Sequence, residues 1–128
     1  MRKGKMGKRI LFADGDRTII EAVITMLEDK GHVVRTETNG EDALTVFSHD
    51  PYRFDLIITD IGMPDISGLL LVKRFLKTRS DIPIVLLAGL DGQEQSRARE
   101  TGVRWFGMKP LSIADLADTV ESALRGAA

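Results

Sequence analysis

Five short apolar runs alternate with five helical patterns along 128 residues, and this predicts a single doubly wound (βα)5 α/β domain. The loops between them are short, which favours right-handed crossovers and a parallel sheet covered on both faces. Strands one and three both end in a carboxylate, Asp14 and Asp60. The strand order 2-1-3-4-5 puts those two ends side by side at the topological switch point, where sheets of this kind bind ligands.

Each element has its own signal. Strand one is Arg9 to Ala13, ending at Asp14-Gly15-Asp16. Helix one begins near Thr18, where Thr18-Ile-Ile-Glu21 has the form of a capping box; Ile20, Val23, Ile24 and Leu27 repeat at helical spacing, and Gly31 ends it. Strand two, Val33 to Thr36, is short and polar on one side, as an edge strand is. Helix two starts at Asn39 or Gly40 and buries Ala43, Leu44 and Phe47 before Pro51. Strand three is Leu56 to Thr59 and delivers Asp60, followed by a turn closed by Met63-Pro64.

Helix three runs from about Ser67 to Lys77 with Leu69, Val72, Phe75 and Leu76 inward. Strand four, Ile84 to Leu87, is continuously apolar, which suits a strand covered on both faces. Helix four, near Gly92 to Thr101, has almost no apolar stripe, so little packing energy holds it. Strand five, Arg104 to Met108, stops at Lys109-Pro110. Ser112-Ile-Ala-Asp115 forms a second capping box, opening helix five with Ile113, Leu116, Val120 and Leu124 inward.

Composition narrows the function classes. With 43% hydrophobic and 29% charged residues the chain suits one domain with a sizeable core. It has no cysteine, which excludes disulfides and thiolate metal sites. Its apolar runs are far too short to span a bilayer and its start is no signal peptide, so a soluble, cytoplasmic protein with no membrane partner is expected. Five basic groups and no acid lie in residues 1–9; the other 13 basic residues face 19 acidic ones, a net of −6. An acidic body argues against a nucleic-acid partner, and the basic start reads as a solvated tail.

Three charged groups meet above strands one, three and five in this topology: Asp14, Asp60 and Lys109. Two carboxylates ~4 Å apart repel by about 4 kcal/mol at an effective dielectric near 20, so the cluster needs a cation. A lysine or a hard divalent metal serves, and oxygen ligands favour Mg²⁺. A carboxylate beside a metal and an ammonium can attack a phosphoryl group, because charge on the transferring oxygens is neutralised as it develops. Taken singly, Lys109 reads as a surface lysine, Asp14 as a turn residue and Asp60 as a turn organiser.

The segments Ile10-Leu-Phe-Ala-Asp14, Asp55-Leu-Ile-Ile-Thr-Asp60-Ile-Gly-Met-Pro64, Gly68, Pro83-Ile-Val-Leu-Leu87 and Gly102 through Lys109-Pro110 resemble a response-regulator receiver domain, with its flavodoxin-like fold. That family has the order 2-1-3-4-5, so the order and the resemblance are not independent. The resemblance implies a receiver domain over 9–126 behind a flexible basic tail at 1–8. It implies a signalling module of a two-component system, not an enzyme. Asp60 would be the phosphoacceptor, supplied by a histidine kinase or a phosphotransfer protein. Asp14, Asp60 and the Gly62 carbonyl would hold Mg²⁺, and Lys109 would pair with the phosphoryl oxygens. Phe106 stands where receivers carry a switch aromatic, on the helix 4–strand 5–helix 5 face that meets a downstream protein target. Phe106 otherwise reads as an ordinary edge-strand aromatic, with Trp105 as the exposed one.

Two positions depart from the family pattern. Receivers carry a second acid after the first, and Gly15 stands there. Asp16 either substitutes from one residue further on or caps helix one. Ala88 replaces the Thr or Ser at the end of strand four, so no hydroxyl can bond a phosphoryl oxygen. With Asp14, Asp60 and Lys109 alone the pocket sums to −1, against −2 with the second acid. Weak Mg²⁺ binding, slow phosphotransfer and altered switching are therefore expected of a degenerate receiver. A rival keeps the fold without the chemistry, as a pseudo-receiver that binds its partner regardless of phosphorylation. Another is a phosphohydrolase of the haloacid dehalogenase type, with Asp14 as nucleophile and Asp16 as general acid; Asp60-Ile-Gly-Met-Pro64 would then go unexplained. A flavodoxin-like mononucleotide site is discarded, because Asp14-Gly15-Asp16 would repel a phosphate.

Overall fold

A computed structural model describes residues 7–89 and 91–126. The first half comprises β1 (Arg9–Ala13), α1 (Arg17–Asp29), β2 (Val33–Glu37), α2 (Gly40–His49) and a 3-10 turn (Pro51–Arg53). The second half comprises β3 (Leu56–Asp60), α3 (Gly68–Thr78), β4 (Ile84–Ala88), α4 (Gly92–Thr101), β5 (Trp105–Met108) and α5 (Ile113–Gly126). All pairings are parallel and the order is β2-β1-β3-β4-β5, as the carboxylate-ended strands predict.

Alternation of side chains along the strands divides the core in two. Ile10, Phe12, Leu56, Ile58, Val85 and Leu87 pack with Val23 and Leu27 of α1 and with Leu116 and Val120 of α5. Leu11, Ile57 and Leu86 pack on the other face with Phe47 of α2, Leu71, Val72 and Phe75 of α3, and Ala98 of α4. Each large apolar side chain so enclosed contributes about 1.5–3 kcal/mol. β3 and β4 are buried throughout, whereas β2 is half exposed at the edge. Among the described residues no helix is long and apolar enough to cross a membrane.

The helix termini follow local chemistry, with one correction. Asp16, not Thr18, caps α1: its side chain accepts the N–H groups of Thr18 and Ile19. Gly31 closes that helix at φ +88°, a left-handed conformation that a side chain would strain. Asn39 caps α2 by accepting the N–H of Asp42, and Ser67 caps α3 through Leu70. Ser112 accepts the N–H of Asp115 at 3.2 Å, which supplies the forward half of the second capping box. On α3 the buried set is Leu71, Val72 and Phe75, while Leu69 and Leu76 only flank the core; on α2, Leu44 likewise flanks it. α4 buries Ala98 and nothing else. The tail expected at 1–8 falls mostly outside the described residues. Lys8 is already tied in, since its N–H donates to His32 Nδ1 and its carbonyl accepts the N–H of Val33.

Candidate functional site

Strand register sets the geometry of the carboxyl rim. Ala13 lies beside Thr59, Asp60 beside Leu87, and Leu87 beside Gly107. Asp14 is therefore one step beyond β1 at the level of Asp60, and Lys109 is two residues past Gly107, keeping its parity. Lys109 Nζ donates to Asp60 Oδ1 at 2.7 Å. No hydrogen bond reaches Asp60 Oδ2 among the described residues. The Asp60 side chain is 10% exposed and that of Lys109 33%.

Asp14 is buried. Its Oδ1 accepts the N–H of Asp16 at 2.8 Å, but its Oδ2 has no partner. Burial raises its pKa above the ordinary carboxylate value. The Asp16 N–H opposes the rise, Asp60 adds to it, and Lys109 pulls the other way. Strand register and the Lys109–Asp60 bond place the three predicted groups, Asp14, Asp60 and Lys109, at one rim of the sheet.

The loop after β3 forms the rest of the rim. Ile61 N–H donates to the Leu87 carbonyl, and Gly68 N–H returns to the Ile61 carbonyl. A Cβ on Gly68 would lie 2.4 Å from the Ile61 Cα, so the return requires glycine. Met63 is buried in the α2–α3 core. A Cβ built on Gly62 would stand 3.8 Å from Asp60 Oδ2, which places this residue next to the carboxylate.

A partnerless buried carboxylate oxygen beside a second carboxylate suits a hard divalent cation. Asp14 and Asp60 fit Mg²⁺ on that ground, with the neighbouring Gly62 main chain as a third oxygen source. Among the described residues no three His, Asp or Glu side chains gather closely enough to hold a metal between them. Asp16 uses Oδ1 on the α1 cap. At position 15, a Cβ would meet the Thr38 carbonyl oxygen at 3.8 Å and Pro64 Cδ at 3.9 Å, ordinary contact distances, so a side chain fits there.

Ala88 is fully buried at the end of β4, and its carbonyl accepts the N–H of Lys109 at 2.9 Å. Phe106 packs on the α2–α3–α4 side of the sheet with the Arg99 guanidinium 4.8 Å above its ring. Trp105 points to the opposite side, half-buried against α5. A Cβ on Gly126 would come within 2.7 Å of the indole. The structure thus separates the two aromatics, and Trp105 is not on the α4 side. Sequence reasoning missed Asp65, whose two carboxylate oxygens accept the N–H groups of Gly40 and Glu41. Its partners lie 25 and 24 residues upstream, beyond any local signal.

Comparison with known proteins places this geometry in context. The chain is 33% identical over 125 residues to a probable transcriptional regulator, ycf27, of Cyanidium caldarium, covering 97% of this chain and 49% of that protein. It is 37% identical over 116 residues to the DNA-binding transcriptional regulator NtrC of Azospirillum brasilense, covering 90% of this chain and 24% of that one. It therefore spans half or less of the length of these two relatives. A CheY-like response regulator receiver domain protein from Methanospirillum hungatei superposes with a TM-score of 0.87 at 26% identity, covering 94% of this chain and 96% of that one. A receiver domain protein from Clostridium thermocellum gives 0.85 at 25% identity over 93% of this chain and 95% of that one. The family model for the response regulator receiver domain matches residues 10–121. With that match running unbroken from β1 into α5, the chain belongs to the response regulator receiver domain family of two-component signalling.

Proposed function

We propose that this receiver accepts a phosphoryl group on Asp60 from a histidine kinase or a phosphotransfer protein, with weakened Mg²⁺ binding and altered switching. Phosphorylation on an aspartate and Mg²⁺ at that site are general to the family. One observation carries the assignment to Asp60: its Oδ1 is paired with Lys109 at 2.7 Å beside the partnerless Oδ2 of buried Asp14.

A carboxylate oxygen of Asp60 attacks phosphorus, and an O–P bond forms as the donor's P–N bond breaks. The electron pair leaves with the donor imidazole, which takes its proton from solvent. Lys109 neutralises Asp60 in the resting site and is within reach of the phosphoryl oxygens as charge builds on them. Asp14, Asp60 and the Gly62 carbonyl would hold Mg²⁺. When bound, the ion supplies positive charge against the transferring oxygens. Gly15 offers no second ligand, which supports a lower affinity. Ala88 has no hydroxyl, which supports a loosened link between the acceptor site and Phe106.

Intact-mass measurement after acetyl phosphate treatment in saturating Mg²⁺ tests the reading. One added phosphoryl group is expected, and none in Asp60→Asn. An unmodified wild-type chain would instead support a phosphorylation-independent interaction module, the reading that Gly15 and Ala88 favour. Backbone amide shifts on BeF₃⁻ addition are the better switch probe, because the Trp105 indole lies against Gly126 on the α5 side. We assign the downstream protein contact to the α4–β5–α5 face, around Phe106, and localisation to the cytoplasm. No catalytic turnover is assigned.

A further inference from the structure

We propose that Asp65 is a positioning residue: its carboxylate straps the loop behind the phosphoacceptor to the first turn of α2 and so holds the Gly62 carbonyl beside Asp60. This rests on the reading of Asp60 and Gly62 given above.

The first amides of any helix lack intrahelical acceptors. In α2, Asn39 satisfies the N–H of Asp42 from within the same segment. The N–H groups of Gly40 and Glu41 go instead to Asp65 Oδ1 at 2.8 Å and Oδ2 at 2.9 Å. One carboxylate from a different loop therefore completes the cap, and the positive end of the helix favours its charge.

The strap is reinforced by packing. A Cβ on Gly40 would fall 2.0 Å from Ile66 Cγ2, so the neighbour of Asp65 lies directly against the α2 start and only glycine admits it. On the other side, Pro64 approaches position 15 at 3.9 Å. The segment 61–68 is thus pinned at its ends by the Ile61 and Gly68 amides, on its inner side by Met63, and at its outer bend by Asp65. Gly62 sits between the acceptor and the strap, without a side chain to anchor it. Removing Asp65 frees the outer bend while leaving Asp14, Asp60 and Lys109 untouched.

A plain helix cap would behave differently, and Asn39 supplies the control because it caps the same helix end with side-chain hydrogen bonds to Asp42 and, among the described residues, none to the loop. Mg²⁺ affinity by calorimetry, thermal midpoint, and amide exchange at Ile61 and Gly68 are measured for wild type, Asp65→Ala, Asp65→Asn and Asn39→Ala. Both alanine variants are expected to lower the midpoint by a few degrees. Asp65→Ala is expected to weaken Mg²⁺ binding about tenfold, the usual cost of losing a partner that orients a ligand, and to speed exchange at Ile61 and Gly68. Asp65→Asn, with one acceptor left and no charge, should fall between, and it decides the matter if the alanine variant does not fold. Asn39→Ala should leave Mg²⁺ affinity and those two amides as in wild type. Equal behaviour of Asp65→Ala and Asn39→Ala in all three readouts would overturn the proposal. A wild type that binds no Mg²⁺ would defeat the phosphoacceptor reading instead. The exchange at Ile61 and Gly68 would then still decide whether the strap exists, with unchanged rates in Asp65→Ala overturning it.

Discussion

Lys109 and Asp60 meet at 2.7 Å although they stand 49 positions apart in sequence and β4 lies between their strands. Lys109 is a third exposed but Asp60 is buried, so removing the ammonium leaves a buried carboxylate without its cation. Lys109→Ala should therefore lower the thermal midpoint and also slow acetyl phosphate labelling of Asp60 about a hundredfold, the usual cost of losing one preorganised electrostatic partner. Labelling rates followed by mass spectrometry, with circular dichroism melts alongside, separate the two effects.

Position 15 has room for the acid that the family normally carries. A Cβ there makes only ordinary contacts, and the backbone is not in the left-handed region. Gly15→Asp should raise Mg²⁺ affinity tenfold or more, about 1.4 kcal/mol per decade. It should also lower metal-free stability, because a third carboxylate joins Asp14 and Asp60. Calorimetric titration and melts with and without Mg²⁺ check both signs; a variant showing neither an affinity gain nor a metal-free loss would place the new side chain outside the pocket.

Ala88 is sealed in the core, and a hydroxyl introduced there needs a partner. Ala88→Ser should cost about 1–3 kcal/mol in the unphosphorylated domain, where no phosphoryl oxygen is present to accept from it. With BeF₃⁻ bound, that cost should shrink, and amide shifts should extend to Phe106 in the variant but not in wild type. Urea denaturation and two-dimensional amide spectra measure the two halves of the prediction.

The meeting of Asp14, Asp60 and Lys109 at one rim was legible because strand ends are. Apolar runs locate Ala13, Thr59 and Met108 within a residue, and parallel pairing then forces Asp14, Asp60 and Lys109 to one rim. Asp65 was not legible, since an exposed aspartate after proline has the same local signature whether or not a helix start lies above it. The α1 cap is Asp16, as one of its two sequence readings had it, rather than Thr18: its carboxylate accepts the N–H groups of Thr18 and Ile19. In Leu69-Leu-Leu-Val72 every position is apolar, so periodicity alone could not choose Leu71. The packing of α3 on the sheet and α2 made that choice.

His32 links β1 and β2 and responds to acid. Its Nδ1 accepts the Lys8 N–H at 3.1 Å, which requires the neutral ring. Burial lowers its pKa, and nearby Lys30 and Lys8 lower it further against the opposing pull of Glu121 and Asp55. The unfolded chain thus binds the proton more readily than the folded one. This group's stabilisation is full above the unfolded value, near 6.5, and is lost as pH falls through the depressed folded value. Chemical denaturation between pH 7.5 and 5 should show a decline in wild type that is reduced in His32→Gln.

α4 is held differently from the other helices. α1 buries Ile20, Val23 and Leu27, whereas α4 buries Ala98 alone. Polar contacts make up part of the difference. Gln95 Nε2 donates to the Gly89 carbonyl at 3.1 Å and approaches Met108 Sδ at 3.4 Å, and Arg99 covers Phe106. Contacts of this kind are worth about 0.5–1.5 kcal/mol each, less than a buried leucine. Amide exchange should therefore be faster in α4 than in α1. Gln95→Ala should widen that gap and leave α1 unchanged, because its bonds reach only the β4–α4 junction and the end of β5. Equal protection in the two helices would mean that packing outside Ala98 holds α4, and that the face around Phe106 is rigid before any phosphoryl group arrives.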